Sequence, residues 1–300
     1  MITPPYLKSG DKIGIVATAR KISHAEIKPA IDKFSEWGLH VVLGKNIFSE
    51  ENQYAGSDKQ RLSDLQQMLD DDTINVIIVA RGGYGTVRII DEIDFVKFVK
   101  NPKWIVGYSD VTVLHSHIHQ NFGIETLHAT MPLNFPLDGK DNNTLISLKK
   151  ALFGEKLDYP IETDPLNKAG TATGILTGGN LSLLYAMAST PSDIDTSGKI
   201  LFIEDLDEYL YHIDRMMMQL KRSGKLQNLA GLIVGGMTEM KDNTIPFGKT
   251  AYEIIAGAVL EYHYPVCYGF PAGHIDDNLA MIFGRKIYLN VSSEKSKIEF

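Results

Sequence analysis

The chain has 300 residues, 44% hydrophobic and 22% charged, with a formal net charge of −7. This is globular composition, with enough apolar material for one large α/β domain or two smaller ones. The acidic balance and the lack of any dense Lys/Arg run argue against a nucleic-acid or anionic-membrane binder. No stretch approaches the ~20 apolar residues of a membrane span, and the single cysteine, Cys267, permits neither an internal disulfide nor a cysteine zinc site.

The first ten residues, opening Met1-Ile-Thr-Pro-Pro, lack the basic start and apolar run of a signal peptide, and the expected location is the cytoplasm. Lys12–Ala17 reads as a buried strand. Residues 23–37 carry helical periodicity through Ile27, Ile31, Phe34 and Trp37 and stop at Gly38. Leu39–Leu43 is the next strand, and Ser57–Leu69 is an amphipathic helix. Asn75–Ala80 is a strand that runs into Arg81-Gly-Gly-Tyr-Gly85, and Thr86–Ile93 reads as a helix. Trp104–Val106 is a strand and 110–120 a helix. Strands alternating with helices mean βαβ units and a mainly parallel sheet. Sites in such sheets lie at the carboxyl ends of the strands, where both Arg81–Gly85 and Gly107–Asp110 fall.

Character changes over residues 136–173, where a loop with Pro136 and Gly139 precedes a helix around Leu145–Leu152 and a polar stretch. The expected division is a nucleophile-bearing α/β domain over 1–155, a linker over 156–172 and a C-terminal domain over 173–300. In the latter, Gly174–Leu176, Ile200–Ile203 and Leu232–Val234 read as strands, and Tyr209–Leu220 and Thr250–Tyr262 as helices.

Gly107-Tyr-Ser-Asp110 between a strand and a helix suits a serine nucleophile. A sharp turn lifts the hydroxyl out of the sheet edge, and the helix N-terminus offers N–H groups to an oxyanion. It departs from G-x-S-x-G, since Val111 replaces the second glycine. The same residues fit a plain helix N-cap, the commoner use of such a serine. Arg81–Gly85 is either a tight turn or a cradle of backbone N–H groups. Glu204-Asp205 at a strand end and His274 in a Gly/Pro loop are partner candidates, each with an ordinary surface reading beside it. His115, His117 and His119 resemble a metal cluster, but only His115 and His119 share a helix face, and no third ligand is near; a structural role is the expectation.

In order and spacing, these segments resemble the LD-carboxypeptidase family of serine peptidases, which includes muramoyl-tetrapeptide carboxypeptidases and microcin-immunity peptidases. The resemblance runs through Gly10–Ala17, Ala80–Gly85, Gly107–Asp110, Leu127–Pro132, Thr177–Ser182, Leu201–Asp205, Tyr211–Arg215 and Gly273-His274. It implies a flavodoxin-like N-terminal domain with a mainly parallel sheet and a smaller, β-rich α/β C-terminal domain. It implies a triad of Ser109, Glu204 and His274, with backbone N–H groups of Gly83 and Asp110 as oxyanion-hole candidates. Arg81, with Gly82, Tyr84 and His128, is the candidate substrate contact, and Arg215 is a more distant candidate for the substrate carboxylate. His128-Ala-Thr stands where the family often has His-Gly-Pro, which leaves that loop's contacts open.

The implied reaction is hydrolysis of the L,D-amide before the terminal D-alanine of a murein tetrapeptide, as in peptidoglycan recycling. The resemblance implies no metal or cofactor, no nucleic acid and no membrane, and a cytoplasmic homodimer. Two alternatives stand beside it: a microcin-immunity-like peptidase acting on aminoacyl- or peptidyl-nucleotide amides, and a non-catalytic flavodoxin-like binding protein.

Overall fold

Runs of β-branched residues bounded by glycine and polar turns become the inner strands. The computed structural model describes residues 1–300, and the chain divides into two units: Met1–Lys156 with Leu279–Ile282, and Leu157–Asn278 with Phe283–Phe300.

In the first unit the elements are β1 (Lys12–Val16), α1 (His24–Glu36), β2 (His40–Leu43), α2 (Asp58–Asp70), β3 (Ile74–Val79), α3 (Val96–Lys100), β4 (Trp104–Gly107), α4 (Thr112–Phe122), β5 (Thr126–His128) and α5 (Asn143–Phe153). The strands pair in parallel in the order β2-β1-β3-β4-β5, which is the flavodoxin-like order. β3 and β4 are buried almost throughout, as strands covered on both faces must be, and so read as continuous apolar runs. The connection from β1 leads to β2 on one side, and the next crosses back to β3 on the other. This reversal opens a crevice at the carboxyl ends of β1 and β3.

Capping fixes where the helices begin. Ser23 with Glu26 and Ser57 with Gln60 form capping boxes at the starts of α1 and α2. At the far end of α2, the buried Lys103 ammonium donates to the carbonyls of Met68 (3.1 Å) and Asp71 (2.7 Å), where a cation meets the negative end of the helix. The helix expected over Thr86–Ile93 is instead two short 3-10 turns, Thr86–Arg88 and Ile90–Glu92. Thr86, Val87, Ile89 and Ile90 are β-branched, and no side chain caps the preceding Gly85, so an α-helix has neither propensity nor a start signal there.

The second unit contains β6 (Asp158–Ile161), β7 (Gly170–Asn180), α6 (Leu181–Ala186), β8 (Ile200–Leu206), α7 (Leu210–Arg222), β9 (Gly231–Thr238), α8 (Ala251–Ala258), β10 (Val266–Cys267), β12 (Lys286–Val291) and β13 (Ser296–Glu299). Between β10 and β12, β11 (Met281–Phe283) pairs beside β5 in the first sheet. The second sheet runs β10-β9-β8-β7-β12-β13-β6, parallel from β10 to β7 and antiparallel from there on. The stretch 156–172, expected as a linker, carries β6 and the first residues of β7. Its signal is short: Tyr159 and Ile161 face in and Asp158 and Pro160 face out. A strand holding a proline is confined to a sheet edge, which is where β6 lies. Helix α7 buries Ile213, Met216, Met217 and Leu220 on one stripe.

Candidate active site

Ser109 follows β4 directly and opens a 3-10 turn, Ser109–Val111, that leads into α4. Its φ is +62°, in the left-handed region that non-glycine residues seldom occupy. It does not cap the helix: Val111 holds the N-cap position of α4, and no side chain bonds there. The N-cap reading of this serine therefore does not hold. What the turn does is present the side chain at the carboxyl end of β4, beside β3.

The strand end under Ser109 is clamped. The Gly107 carbonyl accepts from His115 Nε2 (2.9 Å) and from the Ala129 amide (3.2 Å). Burial pulls the His115 pKa down to about 4, against the Gly107 hydrogen bond that favours its charged form, so the ring is neutral and donates through Nε2. The buried Asp110 carboxylate accepts from the Thr86 amide at 2.8 Å, and Thr86 Oγ1 lies 2.7 Å from Thr18 Oγ1. These contacts tie together the carboxyl ends of β4, β3 and β1. Burial pushes the Asp110 pKa up, and hydrogen bonds from Thr86 and Gly85 work the other way.

The glycine turn after β3 lies against the serine. A Cβ on Gly82 would sit 2.9 Å from both Cβ and Oγ of Ser109, so only glycine permits this approach. Gly83, one of the two oxyanion-hole candidates, follows at φ +117°. Tyr84 is 45% exposed, its ring 6.3 Å from that of Tyr54. The Arg81 guanidinium is 3.7 Å from Glu26 and donates to the Lys21 carbonyl at 3.4 Å. His128 has no exposed surface, and its ring packs beside Tyr108 and His115. A ring so enclosed packs the interior of this unit. The other two helical histidines are also accounted for: His119 Nε2 bonds Thr126 Oγ1 at 3.0 Å, and His117 stacks on Phe95.

In the second unit, Glu204 and His274 meet. Glu204 stands where β8 slips register against β9, between Ile203 and Asp205; such bulges re-aim a side chain. Its Oε2 accepts from His274 Nδ1 at 2.7 Å and from the His274 amide at 3.3 Å. A Cβ on Gly273 would fall 2.6 Å from that oxygen, so the residue before the histidine has no room for a side chain. The His274 carbonyl is held by Thr238 Oγ1 at 3.0 Å. Burial disfavours the His274 imidazolium, but the hydrogen bond and charge of Glu204, with Asp205 and Glu239 farther off, outweigh it and hold the pKa above the usual histidine value. With Nδ1 committed to a carboxylate, proton exchange belongs to Nε2. Arg215 is exposed and lies over the Tyr211 ring at 5.2 Å.

Sequence reasoning missed Asp205 as a structural group. It accepts from Asn180 Nδ2 (3.0 Å) and the Ser182 amide (2.8 Å), and burial beside the charge of Glu204 pushes its pKa up to about 7. The Glu-Asp pair was visible in the sequence, and the resemblance singled out Glu204, but no local pattern said that Asp205 holds the start of α6.

Comparison with known proteins decides the family. Residues 13–129 match the LD-carboxypeptidase N-terminal domain and residues 173–289 the LD-carboxypeptidase C-terminal domain. The chain belongs to the LD-carboxypeptidase family. Among LD-carboxypeptidase relatives, a probable murein peptide carboxypeptidase of Bacillus subtilis (strain 168) is 38% identical, over 99% of this chain and 94% of its own length. The murein tetrapeptide carboxypeptidase of Pseudomonas aeruginosa PAO1 is 25% identical, over 95% and 92%. The crystal structure of the muramoyltetrapeptide carboxypeptidase from Oxalobacter formigenes superposes with a TM-score of 0.87 at 27% identity, covering 96% of this chain and 98% of that one. The microcin C7 self-immunity protein MccF, at 20% identity and a TM-score of 0.87, shares the LD-carboxypeptidase fold.

Proposed function

We propose that this LD-carboxypeptidase removes the terminal D-alanine from murein tetrapeptides, with Ser109 as nucleophile, His274 as general base and Glu204 as the group that orients the histidine. The observation that carries the reading is the left-handed backbone of Ser109 at a strand end beside the glycine turn, a strained conformation of the kind that clusters at active sites. The Glu204–His274 pair supports it, since a short carboxylate bond to Nδ1 leaves Nε2 as the nitrogen that accepts the Ser109 proton. Ser109 then attacks the scissile carbonyl carbon, and the oxyanion is received by the amides of Gly83 and Asp110. His274 returns the proton to the leaving D-alanine amine, and water repeats the sequence to release the shortened peptide.

On the same family grounds we place the enzyme in the cytoplasm as a homodimer, which light scattering of the purified protein and cell fractionation check. No helix is long and apolar enough to cross a membrane.

Ser109→Ala is expected to lower kcat on a tetrapeptide ending in D-alanine by ~10³-fold or more and to abolish labelling by a serine-directed fluorophosphonate. Mass spectrometry of the products fixes which bond is cut. Equal rates for wild type and variant would remove the nucleophile assignment. Hydrolysis of an aminoacyl sulfamoyl adenylate in preference to every tetrapeptide would replace the substrate.

A further inference from the structure

Arg20 leaves the carboxyl end of β1 in the segment Ala17-Thr-Ala-Arg20, and its side chain crosses the face of Gly83. A Cβ on Gly83 would lie 2.6 Å from Arg20 Cγ, 2.7 Å from Cδ and 3.0 Å from Nε. Gly82, the residue before, has the same relation to Ser109. The serine and the arginine therefore lie over neighbouring residues of one turn, whose Cα atoms are about 3.8 Å apart.

A carboxypeptidase must hold a charge beside the bond it cuts. The attacked carbonyl and the free carboxylate of its substrate are separated by a single residue of chain. A cation that receives that carboxylate must stand about one residue from the nucleophile, and it must carry charge that is not already neutralised.

The cations Arg81, Lys21 and Arg88 all have carboxylate partners. Arg81 faces Glu26 at 3.7 Å, Lys21 faces Glu50 at 2.6 Å, and Arg88 holds Asp58 through bonds of 3.0, 3.0 and 2.7 Å. Arg20 is exposed and takes part in no ion pair or side-chain hydrogen bond. Its backbone is nonetheless fixed on both sides. Ala55 N donates to Ala19 O and Lys21 N to Gln53 O, each at 3.0 Å, and Arg20 bridges Tyr54. A held backbone with an unneutralised planar guanidinium suits bidentate capture of a carboxylate.

We propose that Arg20, rather than Arg81, binds the terminal carboxylate of the peptide and so makes the enzyme a carboxypeptidase. The inference rests on the proposed function and assigns one group within it.

The test compares two substrates, a tetrapeptide ending in D-alanine and the same peptide ending in D-alaninamide, which lacks the charge. Arg20→Gln is expected to lower kcat/KM on the free acid by ~100-fold and to change the amide rate by less than ~3-fold. Arg20→Lys should restore part of the acid rate, since it keeps the charge and loses the fork. A merely structural arginine would slow both substrates alike, and that result overturns the proposal. So does a larger acid-specific loss in Arg81→Gln than in Arg20→Gln. Failure of wild type to hydrolyse any tetrapeptide would strike the proposed function itself, and is distinct from both.

Discussion

Ser109 pays a conformational penalty that its neighbours do not. A non-glycine residue in the left-handed region costs on the order of 1 kcal/mol or more, and glycine does not bear that cost. Ser109→Gly is therefore expected to be more stable than Ser109→Ala by ~1 kcal/mol, both variants being inactive, as read from urea unfolding midpoints. Equal midpoints would show that the backbone is unstrained. His274 gives a prediction in pH. Its pKa lies above the ordinary 6.5, and only the neutral ring accepts a proton. kcat/KM should thus fall as pH drops through a value above 6.5. In Glu204→Gln the limb should move to lower pH, because the group that holds the pKa up is gone, while kcat falls ~100-fold or more. The stability linkage has the opposite sense to the activity. A pKa raised on folding contributes stability below 6.5, and that contribution is lost as pH rises through the folded value.

The elements that matter most are the three strand ends joined by Asp110, Thr86 and Thr18. Asp110 is buried and accepts the Thr86 amide, which has no water to turn to if the carboxylate is removed. Asp110→Ala is expected to destabilise the protein by ~1–3 kcal/mol, the cost of leaving a buried donor unpaired. Asp110→Asn retains an acceptor oxygen and should cost less. Urea unfolding of the two variants distinguishes this from a simple charge effect, in which both would shift alike. Because the link fixes the turn that carries Gly82 and Gly83, Asp110→Ala should also lower kcat more than it raises KM. His115 has a comparable place behind the sheet, holding the Gly107 carbonyl two residues before the nucleophile.

At the scale of the whole molecule, the two units are not two consecutive pieces of chain. Leu279–Ile282 returns to the first unit, where β11 lies beside β5 and the Ala280 amide donates to Ser147 Oγ at 2.9 Å. A fragment of residues 1–156 keeps Ser109 but lacks this strand, so the β5 edge is left with unpaired backbone groups. The fragment is expected to self-associate, visible by light scattering. It should not hydrolyse tetrapeptide, since Glu204 and His274 are absent. Hydrolysis by the fragment at the full rate would exclude the proposed triad.

The parallel first sheet was legible in the sequence because a strand buried on both faces must be an apolar run, and its helices had capping residues at their starts. The glycine turn, Gly-Tyr-Ser-Asp and the Glu-Asp strand end stood out for the same local reason, as residue types that steric and electrostatic needs confine to few positions. Tertiary structure alone decided the rest. Strands β6, β12 and β13 form through pairing with distant partners that no short pattern records. His128 and Arg81 carried chemically suitable groups, but burial encloses one and Glu26 engages the other. Arg20, the proposed carboxylate-binding group, gave no signal in the sequence, because the observation that points to it is its packing over Gly83, sixty-three positions later in the chain. Sequence determines which groups are present and how each segment prefers to fold; packing determines which of those groups are left uncovered and unneutralised where chemistry can use them.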